Sequence, residues 1–274
     1  MKKINEAVIL LGGMGTRMLP YTKTVSKEMI PIYDVPNIHL IVKECLNSGI
    51  NKIIFVITKY NRKLIENYFS DNLYLNNFIK GNKEKEKLLD DINYIIKNVK
   101  FSYVYQQERG TYGALYSARK YLKGDAFALL YGDDLFDSKT PPIKQLIDKY
   151  NEEKIMSMGT INTNKDKVGI VKKDKNNYLL DFIKSDKEIN EIIVGRMILS
   201  KEVFKIHKDL KFSNTNELYL PQALLHHMKG KVKCYPLDGK YFNIGDKIGY
   251  IKASINYAMK SSYKDELIDY IKNI

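Results

Sequence analysis

The sequence has few of the features that mark secreted, metal-finger or membrane proteins. It contains only two cysteines, Cys45 and Cys234, and two cysteines so far apart form neither a disulfide scaffold nor a metal knuckle. No apolar stretch approaches the roughly 20 residues that a membrane span needs. No low-complexity linker and no repeat of useful period divides the 274 residues. These absences predict a soluble protein of the cytoplasm with no membrane partner.

Arginine is scarce, although the chain is strongly basic. The net charge is +13, and such a charge invites a nucleic-acid interpretation. Nearly all of the 45 basic residues are lysines, however, and they are dispersed among Asn, Ile and Tyr over the whole length. There is no dense basic tract and no platform of aromatic and arginine side chains. We therefore interpret the lysines as a solvated surface and expect no nucleic-acid partner.

Short β-branched apolar runs alternate with helical patterns in the first 160 residues. The runs predict strands at 7–11, 52–58, 101–106, 126–131 and 156–161. The helical patterns lie at 36–48, 61–69 and 113–122. Strands that are apolar throughout and alternate with helices predict an α/β fold, a Rossmann-like doubly wound sheet covered on both faces. After residue 160 the strands become shorter and more mixed, which predicts a mixed sheet with a smaller, fused, partly antiparallel lobe.

A glycine-rich turn follows the first predicted strand. The segment GGMGTRMLPYTKTVSKEMIP at 12–31 lets a ligand approach the backbone through its glycines and carries the cations Arg17 and Lys27. It lacks the third glycine of the dinucleotide fingerprint, and Thr-Arg follows Gly15 where a Walker A loop has Lys-Ser/Thr. A loop of this kind can hold the β and γ phosphates of a nucleotide and leave the α phosphorus open to attack.

The same segment resembles the signature of sugar-nucleotide pyrophosphorylases, G-x-G-T-R-x-L-P-x-T-K-x-x-P-K-E-M-L-P, and most closely that of the bacterial uridylyltransferase branch. The similarity covers the whole chain, including a charged, helix-prone excursion at 70–100 that shorter relatives are not expected to carry. The resemblance implies an enzyme that joins UTP and glucose 1-phosphate, with Mg²⁺ as cofactor, in a homodimer or homotetramer. It also implies one domain with three parts: a nucleotide-binding half at 1–160, a sugar-phosphate-binding half at 161–246 and C-terminal helices at 247–274.

The resemblance assigns residues to the nucleotide. In QQERGTYGALYSAR a glutamine carboxamide matches the imide edge of uracil. Gln106 is the expected reader of the base, with Gln107 left open because the spacing to Gly110 is one residue short of the family's. Arg17 and Lys27 take the catalytic role, because fixed cations at the departing pyrophosphate stabilise the transition state more than the ground state. The other implied nucleotide contacts are Gly13, Gly15, Thr16 and Gly110.

The metal and the sugar phosphate are assigned farther along the chain. The strand in ALLYGDDLF ends in Gly-Asp-Asp and so places carboxylates at the carboxyl edge of the sheet, where α/β proteins bind ligands. The resemblance implies that Asp133 binds Mg²⁺ together with Asn243. Asp134 either supports this ligand from behind or is a turn residue, and we favour the turn. The implied contacts of the sugar phosphate are Gly169, Lys184, Gly195 and Glu217.

Two positions depart from the family pattern. Ile183 stands where the family has a glutamate that binds sugar hydroxyls, and isoleucine accepts no hydrogen bond. Asn243 replaces a metal-binding aspartate, which weakens the metal site unless Asp246 contributes. Two alternatives therefore stay open. One is the same chemistry with another sugar 1-phosphate or with dTTP, and the other is a nucleotide-binding homologue with little catalysis.

Overall fold

The structure, a computed structural model, describes residues 3–164, 169–185, 187–210 and 217–273. This part of the chain folds around one mixed sheet of nine strands. The strands of the fold are β1 (Glu6–Leu10), β2 (Pro31–Ile32), β3 (Val35–Pro36), β4 (Lys52–Ile57), β5 (Lys100–Tyr105), β6 (Ala126–Tyr131), β7 (Asp134–Asp137), β8 (Met156–Thr163), β9 (Ile170–Lys173), β10 (Leu179–Ile183), β11 (Asn190–Ser200), β12 (Val232–Pro236) and β13 (Lys240–Asn243). The α-helices are α1 (Asn37–Asn47), α2 (Arg62–Tyr68), α3 (Leu73–Ile79), α4 (Lys83–Lys87), α5 (Asp90–Asn98), α6 (Gly110–Ser117), α7 (Pro142–Glu153), α8 (Leu220–His227), α9 (Lys247–Ala258) and α10 (Lys264–Lys272).

The strand order confirms the predicted α/β fold with a mixed sheet. The order is β10-β9-β11-β6-β1-β4-β5, and β8 pairs with both β11 and β12. Strands β6, β1, β4 and β5 run parallel, whereas β11 pairs antiparallel with β6, β8 and β9. Strands β9, β10, β11 and β12 therefore extend the same sheet, whereas β13 pairs with β7 in a separate two-stranded sheet. The division of the chain into a nucleotide-binding half and a sugar-phosphate-binding half stays a prediction.

Both faces of the sheet are buried, as the apolar strands predicted. Alternate side chains of a strand point to opposite faces, and in β1 Val8 and Leu10 pack into one core with α6 and α8. Their neighbours Ala7 and Ile9 pack into a second core with α1, α5 and α7. This two-sided burial explains why β1, β4 and β6 are apolar over most of their length.

The helices agree with the sequence patterns in place and differ in detail. Helix α1 ends at Asn47, and Gly49 follows it with a φ of +83°, the left-handed conformation that favours glycine after a helix. The excursion at 70–100 contains α3, α4 and α5. The end of the chain, predicted as helical from residue 247, forms α9 and α10. In the described ranges no helix is both long enough and apolar enough to cross a membrane.

Four loops meet at one edge of the sheet because β1, β4, β5 and β6 are parallel neighbours. Their carboxyl ends lead into the glycine loop, into Thr58, into Gln106 and into Gly132. The carboxyl edge of parallel strands is where α/β proteins bind ligands. The fold thus brings the separate sequence motifs to one place.

Candidate active site

The glycine loop after β1 is fixed by buried hydrogen bonds. The Asn61 side-chain amide donates to the carbonyl oxygen of Leu11 at 2.6 Å, where the loop begins. The Thr22 hydroxyl donates to the carbonyl oxygen of Gly15 at 2.8 Å. Gly15 has a φ of +64°, which strains any residue with a side chain. The short 3-10 turn Thr16–Met18, which carries the Arg17 side chain, follows directly.

Lys27 forms an ion pair with Asp133. The distance from Nζ to Oδ2 is 2.5 Å, and the side chains are 12% and 21% exposed. Burial disfavours the charged form of the lysine, but the carboxylates of Asp133 and Glu28 outweigh it, so the pKa of Lys27 is raised. A Cβ on Gly13 would lie 3.1 Å from Nζ, so the ammonium group lies against backbone that carries no side chain. The site therefore holds a permanent positive charge beside the glycine loop.

Glu28 is fully buried beside this ion pair. Neither of its carboxylate oxygens has a hydrogen-bond partner of normal geometry among the described residues. Burial raises the pKa of Glu28 to about 7, although the charge of Lys27 acts in the opposite direction. The sequence alone gave no reason to separate this glutamate from the exposed charges of the loop.

The raised pKa of Glu28 predicts a pH-dependent loss of stability. The folded state holds the proton more tightly than the unfolded state, so the stabilisation is complete below about pH 4.5 and is lost as the pH rises through about 7. Glu28→Gln removes this titration. We expect the free energy of unfolding of the wild type, relative to the variant, to fall by up to about 3 kcal/mol between acidic and mildly alkaline pH. Denaturant titrations of both proteins across this range measure it, and parallel pH profiles would contradict it.

Gln106 begins the loop after β5 and lies beside the glycine loop. Its backbone N–H donates to the carbonyl oxygen of Ile57 at 2.9 Å, and its side-chain amide donates to the carbonyl oxygen of Glu108 at 2.7 Å. The carboxamide oxygen faces Gly12 so closely that a Cβ there would lie 1.7 Å away. The oxygen is thus presented as an acceptor across the glycine loop. Gln107, the alternative, is exposed and gives its backbone N–H to the Ser117 hydroxyl.

Two adjoining cavities open at this edge, and Tyr131 and Asp133 line both of them. The smaller cavity, of about 640 Å³, brings together four of the residues predicted to contact the nucleotide: Gly13, Lys27, Gln106 and Gly110. The wall of the larger cavity, of about 1060 Å³, includes the predicted residues Arg17 and Asn243. It also includes Asp246, which the sequence offered as a further metal ligand. Asp133 therefore lies at the junction, with one predicted catalytic cation in the wall of each cavity.

Gly245 leaves space for a ligand between three functional groups. A Cβ at this glycine would lie 2.8 Å from Arg17 Nη2, 2.9 Å from Asp133 Oδ2 and 3.0 Å from Asn243 Oδ1. A carboxylate oxygen and an amide oxygen that converge on open space fit Mg²⁺, which takes few protein oxygens and completes its shell with phosphate and water. The side chains of Asn243 and Asp246 also accept backbone hydrogen bonds. Asn243 Oδ1 accepts from Gly245 N–H at 2.9 Å, and Asp246 Oδ1 accepts from Gly249 N–H at 2.7 Å and caps α9.

The predicted sugar-phosphate contacts are not brought together in the same way. Lys184 is exposed after β10, Gly169 precedes β9 with open space around it, and neither lines the two cavities described above. Glu217 lines the smaller cavity, on the side of the nucleotide loop. Gly195 packs against the Tyr131 ring and gives its N–H to Asp134. The roles of these four residues in sugar binding stay predictions.

The interpretation of Asp134 as a turn residue is wrong. Asp134 begins β7, is 7% exposed, and its carboxylate accepts from Gly195 N–H at 2.5 Å and from the Tyr241 hydroxyl at 2.6 Å. Burial raises its pKa, and the neighbouring charge of Asp133 adds to this effect. Both partners lie far away in the sequence, so no local pattern could identify this role.

Sequence reasoning missed three residues that shape the site: Gly12, Asn61 and Gly245. Gly12 belongs to the glycine-rich segment at 12–31, and Gly245 lies two residues after Asn243, so the signal was there. A glycine beside a predicted ligand marks close approach of the backbone. Asn61 gave no signal, because it follows β4 whereas its partner Leu11 follows β1. The contact forms only when these two strands pair.

The chain belongs to the nucleotidyl transferase family, whose profile matches residues 6–260. Relatives extend the match to the whole chain. A UTP–glucose-1-phosphate uridylyltransferase from Staphylococcus haemolyticus is 35% identical over 100% of this chain and 99% of its own length. A second uridylyltransferase, from Staphylococcus saprophyticus, is 34% identical over the same shares of the two chains.

Solved structures agree with this family. A UTP-bound UGPase from Acinetobacter baumannii superimposes with a TM-score of 0.86 at 28% identity and covers 99% of both chains. A UDP-glucose pyrophosphorylase complexed with UDP-glucose gives a TM-score of 0.83 at 28% identity, over 94% of this chain and all of its own. The family and the fold implied by the GMGTR loop are therefore confirmed.

Proposed function

We propose that this protein joins UTP and glucose 1-phosphate to give UDP-glucose and pyrophosphate. One observation carries the proposal: the two adjoining cavities meet at Asp133, with Lys27 in the wall of one and Arg17 in the wall of the other. The smaller cavity suits the nucleoside, because the Gln106 carboxamide oxygen faces across the glycine loop. The larger cavity suits the sugar phosphate. The names of the uridylyltransferase relatives support this choice of substrates.

The reaction is a substitution at the α phosphorus of UTP. An ionised oxygen of the sugar 1-phosphate forms the new bond, and the bond between the α phosphorus and the bridging oxygen of pyrophosphate breaks. The nucleophile arrives ionised, so no general base and no covalent enzyme intermediate is needed. The protein contributes position and electrostatic stabilisation, with Lys27 and Arg17 receiving the charge that grows on the leaving pyrophosphate.

The ion pair of Lys27 must change its partner during binding. In the free protein Lys27 neutralises Asp133 at 2.5 Å. When the triphosphate enters the smaller cavity, the lysine turns to the phosphate oxygens and Asp133 becomes free for a cation. A divalent cation, Mg²⁺ in this proposal, would be held by Asp133 and Asn243 and would neutralise phosphate charge. Gly13, beside Lys27, and Gly245, beside Asp133, carry no side chain that would block this exchange.

A matrix of nucleotides and sugar phosphates tests the proposal. Pyrophosphate release is measured with UTP, dTTP, ATP and GTP against the 1-phosphates of glucose, galactose and N-acetylglucosamine. We expect the highest kcat/KM for UTP with glucose 1-phosphate. Higher kcat/KM with dTTP or with another sugar phosphate would transfer the assignment to that pair. Tight UTP binding without pyrophosphate release from any pair at saturating Mg²⁺ would contradict catalysis altogether.

Asn243→Asp tests the metal site. The variant adds a second carboxylate at the point where Asp133 Oδ2 and Asn243 Oδ1 converge, so the affinity for a divalent cation rises. We expect the Mg²⁺ concentration for half-maximal pyrophosphate release to fall by about tenfold, since one charge–ligand interaction is worth about 1.4 kcal/mol or more. An unchanged Mg²⁺ dependence would place the metal away from residue 243. The homodimer or homotetramer and the cytoplasmic location stay predictions.

A further inference from the structure

Arg196 is a fully buried cation on β11, directly behind the Asp133 turn. It is 0% exposed, and Glu44 of α1 binds it with both carboxylate oxygens. The distances are 2.9 Å from Nε to Oε1 and 2.8 Å from Nη2 to Oε2. Glu44 Oε1 also accepts from the backbone N–H of Ile143. The pair therefore joins α1, α7 and β11 inside the protein.

The same guanidinium holds the backbone beside the metal ligand. Nη2 donates to the carbonyl oxygen of Asp134 at 2.8 Å, and Nη1 donates to the carbonyl oxygen of Gly195 at 3.0 Å. On the other side of Asp133, the Asn37 amide donates to the carbonyl oxygen of Gly132 at 2.7 Å. Buried donors thus bind the carbonyl groups of the residues before and after Asp133.

The side chain of Asp134 completes the frame. Its two oxygens accept from Gly195 N–H and from the Tyr241 hydroxyl, which joins β7 to β11 and β13. Strands β7, β11 and β13 are therefore connected to the Arg196–Glu44 pair directly or through Asp134. The Asp133 carboxylate itself takes no part in this frame and faces the two cavities.

Stability alone does not explain such a pair. Desolvation of two charges costs free energy that their attraction often fails to offset, and apolar replacements of buried ion pairs are frequently neutral or stabilising. A planar guanidinium with five fixed donors does what apolar packing cannot, because it sets the directions of several acceptors at once.

We propose that Arg196, locked by Glu44, is a positioning residue for the metal ligand Asp133. It fixes the carbonyl of Asp134 and so the turn from which the Asp133 carboxylate reaches the cation. The role goes beyond the proposed reaction and rests on it in one respect, the binding of a divalent cation by Asp133. Groups that orient metal ligands from outside the coordination shell typically change metal affinity 10–100-fold.

Cation binding to the full-length protein tests the proposal without turnover. Mn²⁺ binding is titrated by electron paramagnetic resonance in the presence of a non-hydrolysable UTP analogue, for the wild type, Arg196→Lys and Glu44→Gln. Lysine keeps the charge but cannot donate to Glu44, Asp134 and Gly195 together. We expect the dissociation constant of Mn²⁺ to rise about tenfold or more in both variants, while the affinity for the analogue without metal stays within twofold.

Glu6→Gln is the matched control. Glu6 is 2% exposed and accepts from the backbone N–H groups of Lys123 and Gly124, at the amino end of β1 and opposite the site. The Glu6→Gln variant loses a buried carboxylate just as Glu44→Gln does, so it reproduces the loss of stability. Its Mn²⁺ affinity is expected to stay within twofold of the wild type. The melting temperature of every variant is measured alongside.

The outcomes separate this proposal from the proposed function. If both test variants bind Mn²⁺ as the wild type does, or if Glu6→Gln weakens binding equally, the positioning role is overturned. If Asp133→Asn also leaves Mn²⁺ binding unchanged, the metal assignment fails as well, whereas the proposed reaction is decided separately by pyrophosphate release from UTP and glucose 1-phosphate. Should Arg196→Lys not fold, Glu44→Gln and Tyr241→Phe decide, because each removes less from the frame.

Discussion

Lys27→Met is expected to lower kcat by about 10²–10³-fold with an intact fold. The methylene stem stays, and the one ammonium group that lies against Gly13 and Asp133 is lost. Removal of a single preorganised group that stabilises transition-state charge has an effect of this size. Initial rates of pyrophosphate release at saturating substrates measure it. A reduction below threefold would mean that Lys27 does not face the leaving group.

The same variant has a second signature that separates the two partners of the ion pair. Without Lys27, its ammonium group no longer competes for Asp133, so the free protein is expected to bind Mn²⁺ more tightly than the wild type, although it turns over more slowly. Lys23→Met is the control. Lys23 is an exposed lysine on the same loop, and its loss leaves both the rate and the Mn²⁺ affinity unchanged. Weaker Mn²⁺ binding in Lys27→Met would contradict the exchange of partners.

Gly245→Ala is expected to lower kcat by about 100-fold. The added methyl group would lie within 3.0 Å of three groups that the reaction needs, on Arg17, Asp133 and Asn243. All three contacts are with the ends of side chains, which move aside at little cost to the fold. A displacement of catalytic groups by about 1 Å is enough for an effect of this size.

The control for Gly245→Ala is a glycine with milder crowding far from the site. A Cβ at Gly124 would lie 3.2 Å from a backbone oxygen and 3.4 Å from Glu6, at the amino edge of the sheet. Gly124→Ala is therefore expected to change the melting temperature but not kcat. The account predicts the reverse for Gly245→Ala, and a variant that loses its fold together with its activity would contradict it.

The sequence was sufficient wherever a signal is local. Alternation of apolar strands and helices predicted the sheet with both faces buried, and the GMGTR loop predicted the family. The same loop, with Lys27, Gln106 and Asp133, predicted which residues meet at the carboxyl edge. Parallel strands make this possible, because each motif follows its own strand and the fold collects the strand ends.

What the sequence could not predict depends on contacts between distant segments. Arg196 and Glu44 are 152 positions apart, and Asp134 and Tyr241 are 107 apart, so neither pair leaves a local pattern. Burial decides the rest. Glu28 and Lys27 are neighbours in a charged loop, yet the structure buries the glutamate completely and pairs the lysine with Asp133. Tertiary packing, not residue type, sets these roles.

A structure of the protein with Mg²⁺, a non-hydrolysable UTP analogue and glucose 1-phosphate tests the central claim most directly. The account predicts the triphosphate on the loop at Gly13 and Gly15, Lys27 Nζ within hydrogen-bond distance of a β or γ oxygen, and the α phosphorus open toward the larger cavity. A nucleotide bound elsewhere, with Lys27 still paired to Asp133 and Arg17 in contact with solvent alone, would contradict it.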